Sequence, residues 1–194
     1  MRPLLLLDVD GVLNAVTARP DPDLWADWEQ GRASAAGRSW PIHWSPSVVA
    51  AVVRWRESAD VQWLTTWGHD ANRGLRELLQ LPELPVAGTH ADADFPPDPG
   101  EPDPLLPGSL AAVTPAAPDE LTGRWWKFDL VRRIVRVEPA RPLVWVDDDL
   151  AGQDEVRAWM ERESRCLLVA PSPRDGLSPD DVTVVDAFLR GLAD

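Results

Sequence analysis

The sequence predicts an α/β fold with a doubly wound, mostly parallel sheet of about five strands. Three observations support this prediction. Short apolar runs alternate with helical patterns along most of the chain. The first run, Leu4–Leu7, is apolar at every position, as in a strand buried on both faces of a sheet. Two of the runs end directly in acidic residues, which is typical of a ligand site at the carboxyl edge of such a sheet.

The predicted elements alternate as a parallel sheet requires. In the first half of the chain they are strands at Leu4–Leu7, Val61–Leu64 and Leu84–Ala87, and helices at Pro46–Ser58 and His69–Leu81. In the second half they are strands at Pro142–Val146 and Cys166–Ala170, and helices at Arg124–Val137, Ala151–Glu163 and Ser178–Leu192. Ser45 is a suitable N-cap for the first helix, with Pro46 in its first turn.

Two segments interrupt this alternation. Residues 17–44 contain four tryptophans and three prolines, and we expect a compact insertion with a short helix near Leu24–Gln30 and a hairpin arm near Ser39–Trp44. Residues 90–119 are rich in proline and aspartate, which predicts a loop because such a composition buries little apolar surface. Neither segment is expected to fold as a full lid.

Length, charge and cysteine content restrict the class of protein. The 194 residues favour a single domain with an ample core. The chain has no apolar run long enough to span a bilayer, and Leu4–Leu7 is too short for the core of a signal peptide. A lone cysteine, Cys166, fits a cytoplasmic location. The net charge of −13 argues against a general polyanion-binding surface.

The first strand ends in a pair of carboxylates, Asp8 and Asp10. Side chains two residues apart in an extended chain point the same way, so both can face one small volume. Two unpaired carboxylates at close range raise each other's pKa, and such a pair usually binds a cation. An acidic turn after an edge strand is the alternative interpretation of these residues alone.

Further polar residues are predicted at the same edge of the sheet. They are Thr65, Thr66, Asp147, Asp148 and, near the start of a helix, Lys127. Lys127 is the only lysine beside eighteen arginines, which marks it because arginine does not replace a compact ammonium group. Two aspartate clusters form an oxygen cage suited to Mg²⁺, while a hydroxyl and an ammonium group can neutralise a phosphate.

These motifs resemble those of the haloacid dehalogenase (HAD) superfamily of phosphohydrolases. The matching strings, in the family's order, are DVDG at 8–11, WLTT at 63–66, Lys127 and VWVDD at 144–148. More narrowly, DVDGVLN at 8–14, LTTW at 64–67 followed by HDAN at 69–72, and WVDDDL at 145–150 resemble the small HAD domains of bacterial RNA-repair proteins and their standalone relatives.

The resemblance implies a role for each motif residue. Asp8 would be the nucleophile that forms an aspartyl-phosphate. Asp10 would protonate the leaving oxygen and then activate the attacking water, and its main-chain carbonyl would also bind Mg²⁺. Lys127 would offset negative charge on Asp8 and on the intermediate. The remaining Mg²⁺ ligands would be Asp8 and Asp147, and Asp148 would support the metal either directly or through water.

Substrate contacts are less sharply defined by the motifs. Thr65 would hydrogen-bond the phosphoryl group, with Thr66 as an alternative. His69 and Asn72 are candidates for touching the substrate, although an ordinary place on a helix surface is the simpler interpretation. The tryptophans at 25, 28, 40, 44 and 67 are candidates for stacking on a base, with burial as the favoured alternative.

We therefore predict a Mg²⁺-dependent phosphomonoester hydrolase. An open site suits a large substrate such as an RNA or DNA end, because a small metabolite usually needs enclosure to exclude water. The alternatives are a nucleotide or small-metabolite phosphatase and a catalytically inactive HAD-like binding module. A response-regulator receiver is disfavoured. In a receiver the Thr and Lys follow the phosphoacceptor late in the chain, whereas here the acids at 147–149 come after both. No membrane association or partner protein is predicted.

Overall fold

A computed structural model describes residues 1–93 and 125–192. Its strands are β1 (Leu4–Leu7), β2 (Glu29–Ala35), β3 (Arg38–Trp44), β4 (Asp60–Trp63), β5 (Leu143–Val146) and β6 (Cys166–Val169). Its α-helices are α1 (Pro46–Ser58), α2 (Arg76–Leu79), α3 (His90–Ala93), α4 (Trp126–Val137), α5 (Asp154–Glu163) and α6 (Pro179–Arg190). A π-helical turn, Ala71–Leu75, precedes α2, and a 3₁₀ turn, Asp148–Leu150, follows β5.

The central sheet confirms the predicted α/β class. Its four strands are all parallel, in the order β4-β1-β5-β6. The strand expected at Leu84–Ala87 is reduced to one bridge between Trp63 and Val86. Prolines at 82 and 85 lack the N–H groups that a longer ladder would need, so the pairing does not extend.

Both faces of the sheet are covered, which explains the unbroken leucine run of β1. Leu5 and Leu7 belong to a core that includes residues of α1, α6 and the β2–β3 hairpin. Leu4 and Leu6 belong to a second core with residues of α4 and α5. Alternate residues of a strand point to opposite faces, so each leucine pair fills one core. Within the part of the chain that the structure describes, no large cap covers the sheet.

The insertion after β1 differs from its prediction. The short helix expected near Leu24–Gln30 is wrong: Glu29 already begins β2, and β2 and β3 form an antiparallel hairpin from Glu29↔Trp44 to Ala35↔Arg38. The preceding segment is held by side chains instead of helical hydrogen bonds. The Asp27 carboxylate accepts from the hydroxyls of Ser45 and Ser47, at 2.6 and 2.7 Å, and so ties the insertion to the start of α1.

Two predicted helices begin later than expected. In place of a regular helix over His69–Leu81, the π-helical turn leads into α2, which ends where Gln80 adopts a left-handed conformation with φ 54°. In place of a start at Ala151, the Asp147 side chain caps the 3₁₀ turn, and α5 begins at Asp154. α1 and α6 start at the predicted caps, Ser45 and Ser178.

The segment predicted as a Pro/Asp-rich loop lies mostly outside the described residues. Its first residues form the short helix α3, so the expected loop over 90–119 does not begin at residue 90. Residues 94–119 are not described. None of the described helices combines the length and the apolarity that crossing a bilayer would require.

Candidate active site

Three strands deliver polar side chains to one edge of the sheet. Asp8 follows β1, Thr65 follows β4 and Asp147 follows β5, and all three are buried. β1 pairs with both β4 and β5 in parallel register, so their carboxyl ends lie side by side. The parallel sheet therefore brings together residues that lie far apart in the sequence, as expected for residues that follow neighbouring parallel strands.

Lys127 contacts both Asp8 and Asp147. It lies in the first turn of α4 with 1% of its surface exposed, and its Nζ donates to Asp8 Oδ2 at 2.6 Å and to Asp147 Oδ2 at 2.8 Å. Burial on its own lowers the pKa of this lysine, but the carboxylates of Asp8 and Asp147 outweigh it and raise the pKa above the ordinary value. The ammonium group therefore stays charged and compensates two buried carboxylates.

Asp8, Asp147 and Asp148 form a cluster that can hold a metal ion. Each offers one carboxylate oxygen, and these three atoms lie within 4.8 Å of one another. Burial, followed by the charge of Asp8, raises the pKa of Asp147 well above its ordinary value in spite of Lys127. Burial and then the charges of Asp149 and Asp8 raise the pKa of Asp148 to about 6. The single ammonium group of Lys127 does not balance the negative charge of three carboxylates. A donor set made only of carboxylates fits a hard divalent cation.

The loop after β1 requires glycine beside this cluster. Gly11 has φ +68°, and a Cβ atom built on it would lie 2.3 Å from the carboxyl carbon of Asp148. The chain can therefore pass next to the Asp148 carboxylate because residue 11 has no side chain. This is the structural reason for the glycine in the DVDG string.

Asp10 has a separate set of partners. The Asn14 side-chain amide donates to Asp10 Oδ1 at 2.7 Å, and the Trp67 indole N–H donates to Asp10 Oδ2 at 2.7 Å. Asn14 in turn accepts from the His43 main-chain N–H at 2.9 Å. The contacts of Asn14 and Trp67 with Asp10 are not predicted from the sequence, although Asn14 lies within the string DVDGVLN and Trp67 within LTTW.

The remaining predicted site residues occupy different environments. Thr65 is buried and its hydroxyl accepts from the Trp67 main-chain N–H at 3.3 Å, whereas Thr66 is exposed. His69 is exposed on the turn after β4. The Asn72 side chain contacts Trp63 and both main-chain groups of Leu84, so these structural bonds account for it without a substrate.

A groove of about 670 Å³ opens beside Asp10. It runs between the loop after β1, the β2–β3 hairpin and the turn after β4. Its lining residues are Asp10, Asn14, Ala15, Val16, Thr17, Ala18, Ala35, Ala36, Trp40, Pro41, His43, Thr66 and Trp67. The active-site edge is therefore continuous with a preformed surface concavity.

Fold and site together define a domain of the HAD phosphohydrolase type. A family model described as "HAD domain in Swiss Army Knife RNA repair proteins" matches residues 4–182. The chain belongs to this family, in agreement with the resemblance carried by its motifs. Comparison with curated proteins and with solved structures gave no match.

Proposed function

We propose that this protein is a Mg²⁺-dependent phosphomonoester hydrolase that acts through an aspartyl-phosphate on Asp8, with a nucleic-acid end as its substrate. The observation that carries the proposal is the buried contact of Lys127 with both Asp8 and Asp147, next to Asp148. An inactive interaction module would have no need to bury these charges together. The family membership supports phosphoryl chemistry at this edge of the sheet.

Asp8 is held ready to attack phosphorus. Its Oδ1 accepts from the Val9 main-chain N–H at 2.7 Å, and its Oδ2 accepts from Lys127. In the proposed first step an Asp8 oxygen bonds to phosphorus while the bond from phosphorus to the leaving oxygen breaks, and that oxygen takes a proton from Asp10. In the second step water attacks the phosphorus while the bond from phosphorus to the Asp8 oxygen breaks. Asp10 takes the proton of the water, phosphate leaves, and the Asp8 carboxylate is regenerated.

The residues that would hold Mg²⁺ are Asp8, Asp147 and Asp148, with the main-chain carbonyl of Asp10. When bound, the ion would neutralise charge on the phosphoryl oxygens. Lys127 adds a fixed positive charge that does not depend on the metal. Thr65 or Thr66 would donate a hydroxyl hydrogen bond to the phosphoryl group.

Two observations support a nucleic-acid end over an enclosed small metabolite. The family description names RNA repair. The described residues also form no large cap, so the groove beside Asp10 leaves room for a large leaving group.

The decisive test replaces Asp8 by Asn, which keeps the shape and removes the nucleophile. We expect phosphate release from end-phosphorylated RNA to fall by at least on the order of 10³-fold, as for other covalent catalysts that lose their nucleophile. Asp180→Asn, an exposed site in α6, is the matched control and should leave turnover unchanged. An Asp8→Asn protein with wild-type turnover, or wild-type turnover in excess EDTA, would contradict the mechanism.

A further inference from the structure

We propose that the groove beside Asp10 binds the terminal nucleoside of the nucleic-acid leaving group, with Trp40 as its stacking platform. This inference rests on the proposed function, because it assigns the group beyond the oxygen that Asp10 protonates. It goes further in naming a binding site and the residue that determines specificity.

The groove begins at the group that would protonate the leaving oxygen. Asp10 and Thr66 belong to both the motif set and the groove lining. A leaving group whose oxygen lies at Asp10 must therefore continue either into this groove or into solvent. The groove volume, about 670 Å³, lies within the range of about 300–1,000 Å³ that is typical of small-molecule sites.

The chemistry of the lining favours an uncharged part of the leaving group, such as its terminal nucleoside, over a phosphate group. Among the residues that the structure describes, no lysine or arginine lines the groove, and Asp10 is the single acid. The other side chains include Val16, Pro41 and several alanines. The lining also includes His43, but a second phosphate placed here would lose water without gaining a lysine or arginine, which is costly. Transfer of an uncharged base with its sugar from water into the groove costs much less free energy.

Trp40 is the aromatic group available to such a ring. It has 43% of its surface exposed, although large apolar side chains are usually buried. Its indole N–H donates to the Ala35 carbonyl across the hairpin at 3.3 Å, which restricts the ring. Trp67 also lines the groove, but it is buried and its N–H is committed to Asp10. Stacking on an aromatic side chain accepts any base.

The hairpin that carries Trp40 is anchored on both sides of the groove. The Ala36 N–H, at the turn of the hairpin, donates to the Asp70 carboxylate at 2.9 Å. The His43 N–H donates to Asn14, which itself holds Asp10. The wall of the groove is therefore connected to the proposed acid by hydrogen bonds, so a ring bound there has a defined position relative to Asp10.

The test compares Trp40→Ala and Trp40→Phe in two measurements. The first is kcat/KM toward a short end-phosphorylated RNA and toward glycerol phosphate, which has no ring. Trp40→Ala should lower kcat/KM for the RNA on the order of tenfold to a hundredfold, mainly through KM, and leave kcat/KM for glycerol phosphate unchanged. Trp40→Phe keeps an aromatic face and should restore most of the loss.

The second measurement does not need turnover. Adenosine is titrated while the tryptophan indole signals are followed by NMR, and the wild type should show saturable shifts that Trp40→Ala abolishes. Absence of adenosine binding, or an equal loss on both substrates, would overturn the groove assignment. Saturable adenosine binding in a protein that hydrolyses no phosphomonoester would keep the groove and reject the proposed function.

Discussion

Replacing Lys127 by Met tests whether this lysine compensates the buried acids. Methionine has a similar length and no charge, so packing is largely preserved while the bonds to Asp8 and Asp147 are lost. Both carboxylates are almost fully buried, at 5% and 0% exposure. Removing one partner of a buried ion pair typically costs about 3–5 kcal/mol, and we expect a loss of this size in the free energy of unfolding at about pH 8.

The loss in the free energy of unfolding of the Lys127→Met variant should depend on pH. In the native protein Lys127 opposes the rise in the pKa of Asp147 that burial and Asp8 cause, so removing the lysine raises that pKa further. The folded variant then binds a proton that the unfolded chain, with an ordinary aspartate pKa, releases. Stability of the variant relative to wild type therefore increases as the pH falls toward about 5, because a proton replaces the missing ammonium charge.

The assay is urea denaturation followed by tryptophan fluorescence at both pH values without divalent cations. Leu130→Ala is the matched control, since Leu130 is buried on the same helix and its truncation leaves a cavity that does not titrate. It should cost about 2–5 kcal/mol at both pH values. A Lys127→Met loss below about 1 kcal/mol at the higher pH, or one equal at both pH values, would refute the charge-compensation argument.

Two further substitutions address Asp10 and the metal cluster. Trp67→Phe removes the hydrogen bond from the indole N–H to Asp10. It should lower kcat, measured by steady-state kinetics, roughly tenfold to a hundredfold with little change in KM. An unchanged kcat would exclude a positioning role for Trp67. Gly11→Ala should weaken Mg²⁺ binding in calorimetry, because its Cβ meets the Asp148 carboxylate. Gly37→Ala shares the positive φ, has nothing within 4 Å and should bind Mg²⁺ as wild type does; equal affinities for the two variants would contradict the steric argument.

Much of the fold was predictable because the signals are local. The four leucines of β1 indicate a strand buried on both faces, and Ser45 and Ser178 mark the starts of α1 and α6. The insertion was harder to predict, because Leu24–Gln30 has a composition compatible with a helix. The contacts of Asp27 with Ser45 and Ser47, together with the pairing of β2 with β3, favour the extended chain there, and neither is a local property.

The strands that the acids, the hydroxyls and the lysine follow can be predicted from the amino-acid sequence, since motif order and strand polarity are properties of the chain. The separation of these groups into two hydrogen-bonded sets, one around Lys127 and one around Asp10, depends on the folded chain. Lys127 pairs with Asp8 across 119 positions and with Asp147 across 20. Asp10 instead accepts a hydrogen bond from Trp67, 57 positions away, beside a groove that the hairpin lines on one side. Such distant partners meet because parallel strands end at one edge, and no periodicity in the sequence records which side chains then share a hydrogen bond.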